Sequence, residues 1–152
     1  MNNPFQFAIA TRKKIADKIG KLSTEQLNEI PAGCNNNIAW QLGHLVVSSE
    51  ILCYHRTSAA PNKEIALAEK YRNGSKPESF IEQAEINSLL QRLLSSYDAI
   101  LEDNAKGIFK NITPYATHTF GVEMTTIEEV FSVCSHHDVL HAGQISIMER
   151  MI

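Results

Sequence analysis

The sequence predicts an all-α fold, an up-down bundle of four long helices with a long crossover connection. Three observations carry that prediction. Four segments place apolar residues at helical spacing, and almost nothing alternates with the period of two that marks a strand. Prolines and capping residues fall at the ends of those segments.

The first helix is expected over residues 4–20, with Pro4 in its first turn, Phe5, Ile9, Ile15 and Ile19 among its apolar positions, and Gly20 at its end. Ser23-Thr24-Glu25-Gln26 then has the form of a capping box opening one or two turns of helix, and Pro31-Ala32-Gly33 breaks the chain. The second helix should start at the cap Asn36 and reach Arg56. Its apolar residues fall on two sides, Trp40, His44, Val47 and Ile51 on one and Ile38, Leu42, Leu45 and Leu52 on the other, the pattern of a helix buried between neighbours. Residues 57–77 are the least regular, with a short helix expected over 63–71. The third helix is read from Pro77 or Glu78 to Asp103, with Phe80, Ala84, Asn87, Leu90, Leu94, Tyr97 and Leu101 as its repeating face. Residues 104–124 form a long connection, and Thr125 or Thr126 caps the fourth helix through Glu128 or Glu129. No repeat or second domain interrupts residues 1–152, which are read as one domain.

The balance of 14 basic against 17 acidic residues lacks the clustered cations of a nucleic-acid footprint. Arg12-Lys13-Lys14 reads as a solvated helix face. Three widely spaced cysteines, Cys34, Cys53 and Cys134, suggest no disulfide framework. With no signal-peptide pattern and no long apolar span, they point to a soluble protein of a reducing compartment, the cytoplasm.

The chemistry concentrates in Ser135-His136-His137-Asp138-Val139-Leu140-His141-Ala142-Gly143-Gln144. His137 and His141 stand one helical turn apart, so their imidazoles can converge on one ion. They share an inward stripe with Val130, Cys134, Gln144 and Met148, while His136 points elsewhere. Hydrogen-bonded core histidines are the alternative reading of the pair. His44, on the buried second helix beside Trp40, offers a third nitrogen. Three histidines would leave an open position on a metal, the arrangement of catalytic rather than structural zinc.

The segment Asn37-Ile38-Ala39-Trp40-Gln41-Leu42-Gly43-His44, followed much later by His137-Asp138-Val139-Leu140-His141-Ala142-Gly143-Gln144-Ile145, resembles the DinB/YfiT-like superfamily of four-helix bundle proteins. The likeness spans nearly the whole chain, including the Tyr71-Arg72-Asn73-Gly74 turn. It implies that His44, His137 and His141 are the ligands of a divalent ion, zinc, nickel or iron. It further implies a small-molecule substrate, with transfer to or from a low-molecular-weight thiol ahead of amide hydrolysis, or else a non-catalytic metal-binding role in stress. Homodimers are common in the superfamily. Nucleic-acid and membrane partners are not expected.

Other candidates are weighed beside these. His118, in the long connection, could meet substrate, but an exposed histidine without a role is the simpler reading. His55 lies too far from His44 for a shared ion. Cys134 could close the metal's coordination as a soft ligand, or act as a small buried hydrophobe. Gln144 could orient a ligand. Asp138 and Glu50 fall off the histidine stripes.

Overall fold

The computed structural model describes residues 5–152. The fold is all-α apart from one two-residue hairpin. The elements in order are α1 (Gln6–Ile19), α2 (Thr24–Asn28), α3 (Ile38–Glu50) continued by a π-helical turn (Ile51–His55), α4 (Ala68–Tyr71), α5 (Gln83–Ala105), β1 (Tyr115–Ala116), β2 (Glu123–Met124) and α6 (Ile127–Met148). Pro4, expected in the first helical turn, lies outside the described residues.

Local chemistry sets most of these limits. Ser23 and Gln26 form the expected capping box of α2, and Thr126 and Glu129 form that of α6. On α3 the cap is Asn37 rather than Asn36: its Oδ1 accepts the Trp40 amide at 2.8 Å. The third long helix begins at Gln83, later than the proline at 77 suggests. Asn28 holds the backbone of Ile81 from both sides, donating to its carbonyl at 2.9 Å and accepting its amide at 2.7 Å. That clamp keeps the segment before α5 extended, and Phe80 is left exposed.

The face that α5 buries also differs from the expected one. Ile86, Leu89, Leu93, Tyr97 and Ile100 point inward, whereas Leu94 is exposed. Two overlapping apolar stripes were available. The buried one turns Ser96 and Tyr97 toward Arg12, which holds the centre of the bundle.

Arg12 corrects the reading of Arg12-Lys13-Lys14 as a solvated face: its side chain is 1% exposed, as is that of Asp138. Its Nε and Nη2 donate to Asp138 at 2.7 and 3.1 Å, its Nη1 to Ser96 Oγ at 2.7 Å and the Leu93 carbonyl at 3.2 Å, and its Nη2 also to the Leu45 carbonyl at 3.1 Å. All five guanidinium N–H groups are thereby used. Burial opposes the charge on Arg12, but Asp138, Tyr97 and Cys134 together outweigh it and hold the guanidinium more firmly protonated than usual. One side chain of α1 thus touches α3, α5 and α6.

Contacts along the helices fix their directions. Phe5 meets Phe131, Arg12 meets Asp138 and Lys18 meets Glu149, so α1 and α6 run parallel. Gln41 meets Gln144 and His44 meets His137, so α3 and α6 are antiparallel. Ile86, Leu89 and Leu93 share a core with Ile38–Val47, and Tyr97 and Ile100 share the second core with Cys53 and Tyr54, so α3 and α5 run parallel. The order of directions is up, down, down, up. The alternation expected from sequence holds from α1 to α3 and from α5 to α6. The parallel middle pair is what requires the long crossover between residues 56 and 82. Among the described residues, no helix is long and apolar enough to cross a membrane.

Candidate metal centre

The site is built on α3 and α6. Helix α3 is buried on every side from Ile38 to Ser49, so its polar residues must find partners inside the protein. His44 is stacked on Trp40, with ring centroids 4.8 Å apart and 12° between planes. Its Nδ1–H donates to the Tyr71 carbonyl at 2.8 Å. A carbonyl can only accept, so in the neutral ring Nε2 carries the lone pair, with the Ser48 hydroxyl 3.3 Å away.

Tyr71 comes this close because position 43 is glycine. A Cβ there would sit 2.4 Å from the Tyr71 ring, closer than packed atoms approach. Alanine at 43 would therefore displace the same residue whose carbonyl orients His44.

On α6, His141 donates its Nδ1–H to Gln41 Oε1 in a short hydrogen bond. The Gln41 amide is itself oriented, because its Nε2 donates to Gln144 Oε1 at 2.9 Å and Asn36 Oδ1 at 3.1 Å. His141 is thus also held with its Nε2 lone pair outward, and that atom lies 3.1 Å from His137 Nε2. Two nitrogens bound tetrahedrally on bonds of about 2.0–2.1 Å would stand roughly 3.3 Å apart, so the spacing fits a shared ion.

The three histidines bring one ligand atom each within 4.8 Å of one another, and could hold a metal ion. Burial, then the neighbouring imidazoles, push His137 down to about 2 and His141 to about 3. Burial also lowers His44, against the opposing effect of its hydrogen bond to the Tyr71 carbonyl. All three rings are consequently neutral at pH 7, the state in which imidazole binds metals. The donor set therefore fits a divalent ion.

A family model for the DinB superfamily matches residues 9–145, which include all three histidines. The chain belongs to the DinB superfamily. No curated protein matches it. Within this DinB bundle the three histidines expected from sequence come together, and the others do not join them. Cys134 packs in the second hydrophobic core beside Cys53 and is outside the histidine group. His55 donates its Nε2–H to the Lys63 carbonyl, 2.7 Å away, and lines the outer part of the cavity above the site. His118 is exposed but also lines that cavity, together with Thr117, Thr119 and Phe120. Asp138 faces Arg12, off the histidine stripe as expected. Gln144 reaches His141 only through Gln41.

Gln41 and the Tyr71 carbonyl were not singled out by sequence. Gln41 did carry a signal: a polar residue three before His44, in a helix otherwise apolar on both faces, needs a buried partner. The Tyr71 carbonyl carried none, since any residue there has one.

The cavity over the histidines has a volume of about 830 Å³. Trp40, His44, Ser48, His137 and His141 form its inner part. Glu69 is the one carboxylate among the described residues that line it, and it is exposed and paired with Arg72 at 2.8 Å.

Proposed function

We propose that this DinB-superfamily protein is a divalent-metal-dependent thiol S-transferase, with zinc, nickel or iron held by His44, His137 and His141, that joins the sulfur of a low-molecular-weight thiol to an electrophilic substrate. The observation that supports the reading best is the fixed tautomers of His44 and His141. Both present Nε2 lone pairs at the inner end of a cavity large enough for a small molecule. Such an ion, when bound, would supply the Lewis acidity that keeps a thiol ionised at neutral pH.

The chain's own part is to hold three neutral imidazoles, to wall them with Trp40 and to leave one side open. Amide hydrolysis is the weaker reading. It asks for a group to take a proton from water, and the one carboxylate among the described residues that line the cavity is committed to Arg72 at the surface. The three cysteines are unbridged, which supports a reducing compartment and hence the cytoplasm.

The test is to reconstitute the protein with zinc, nickel or iron and follow consumption of bacillithiol or glutathione with an electrophile, beside amine release from simple amides. Thiol consumption that disappears in His141→Ala is the expected result. Amine release alone would move the assignment to a hydrolase. A fully loaded protein inactive in both assays would leave a non-catalytic metal-binding protein.

The expected homodimer has support on α6. Val139, Gly143 and Ile147 form an outward line at four-residue spacing, with Val139 56% and Ile147 61% exposed. An apolar line on the outside of a helix is what a second copy would cover. Sedimentation equilibrium should give a dimer for the wild type and a monomer for Ile147→Glu. A monomeric wild type would remove the dimer from the proposal.

A further inference from the structure

The outer part of the cavity carries more positive than negative charge, and one of its cations has no acidic partner. Arg72 is paired with Glu69. Arg56, at the end of the π-helical turn, has no carboxylate within ion-pair distance among the described residues. It is nevertheless held in place. Its Nη2 donates to the Ala116 carbonyl at 3.0 Å, and its guanidinium lies 4.8 Å from the centroid of the Tyr115 ring. Tyr115 is anchored in turn by its hydroxyl, which donates to the Leu52 carbonyl at 2.8 Å. One amino group of the fork is occupied, and among the described residues no side chain or carbonyl takes its remaining N–H groups. Arg56, His55, Thr117 and His118 together line this end of the cavity.

We propose that Arg56 binds the carboxylate end of the substrate whose other end reaches the three histidines. A guanidinium fixed in orientation but lacking an acid is suited to bidentate capture of a planar carboxylate. Its place in the fold also sets a length. His44 and Arg56 are twelve positions apart on one continuous helical segment, a rise of roughly 18 Å at α-helical pitch. Helical side chains lean toward the N-terminus, and the long arginine leans furthest, which shortens the span to the order of 10–15 Å. The ligand is therefore an extended thiol whose carboxylate lies several bonds from its sulfur. Arg56 is a specificity residue in this scheme. The thiol part of the inference rests on the S-transfer reading; the carboxylate part does not.

The experiment uses cobalt-loaded protein, whose absorption changes when a thiol binds the ion. The probes are 3-mercaptopropionate and 8-mercaptooctanoate, each beside the alcohol of the same length. The expected result is that the long acid binds the wild type about tenfold more tightly than its alcohol and that the short acid shows no such preference. Arg56→Gln should abolish the preference while leaving the alcohols unchanged, and Arg56→Lys should keep part of it. Equal loss for acids and alcohols would show that Arg56 only supports the hairpin, and would overturn the inference. A second arm is independent of the metal: octanoate is titrated calorimetrically into metal-free protein. Binding that weakens about tenfold in Arg56→Gln supports the carboxylate site even if no thiol binds cobalt, an outcome that would defeat the S-transfer reading alone. Octanoate binding that is absent, or unchanged by the substitution, overturns the carboxylate site.

Discussion

Arg12→Ala should destabilise the protein by about 3–5 kcal/mol, the usual cost of leaving a buried charge without its partner. The substitution removes five hydrogen bonds at once and strands Asp138, which is 1% exposed and, among the described residues, retains the Tyr97 hydroxyl at 2.7 Å as its one side-chain donor. Domains of this size are stable by about 5–15 kcal/mol, so much of the margin would go. The double variant Arg12→Met, Asp138→Leu separates the charge from the packing. Exchanging a whole buried ion pair for apolar side chains is often neutral or stabilising, so the double variant should recover most of the loss. Urea unfolding measures both. A single variant within about 1 kcal/mol of wild type would mean that water reaches Asp138 and that the pair is not the centre of the bundle.

The second large effect concerns the histidines. Protein purified without tag or chelator should carry close to one equivalent of metal per chain, and His137→Ala should carry almost none. Saturating metal at one hundred times its dissociation constant should stabilise the wild type by about 2.7 kcal/mol and leave the variant unmoved. Little metal in either protein, even after reconstitution with zinc or nickel, would end the metalloenzyme reading.

A pH dependence follows with a definite sign. His137 and His141 lie far below the ordinary histidine value when folded, at about 2 and about 3, and return to about 6.5 when unfolded. Their neutral forms therefore contribute stability that is complete above pH 6.5 and is lost as pH falls through that value toward 3. Urea midpoints of metal-free protein should decline through this window, and more shallowly in His137→Leu. Parallel declines would show that the two rings are better hydrated than their burial implies.

What sequence could reveal here depended on the distance between cause and effect. The histidine pair was legible because one turn of helix fixes its geometry, and His44 because a polar ring on a two-sided apolar helix has few places to point. The capping boxes at Ser23 and Thr126 were legible for the same local reason. Arg12 was hidden, since beside Lys13 and Lys14 it looks like any solvated cation and its partner lies 126 positions away. The start of α5 depended on Asn28, which grips Ile81 across 53 positions. The rotation of α5 was undetermined because Leu90, Leu94 and Leu101 compete with Ile86, Leu89, Leu93 and Ile100 for the core, and only tertiary contacts decide between them.

The up, down, down, up order of the helices has a consequence for how the chain reaches this structure. The long helices that follow each other most directly in antiparallel sense, α1 with α3 and α5 with α6, are not the pairs that pack most closely; α1 packs mainly on α6 and α5, and α3 on α5 and α6. Among the described residues, no pair of successive antiparallel long helices is closely packed. The pairing of α1 with α6 closes a loop of more than a hundred residues, and its entropy is lost before most of the core contacts can repay it. Closing α1 onto α6 therefore costs more loop entropy than closing α3 onto α5, the most extensively packed pair of helices.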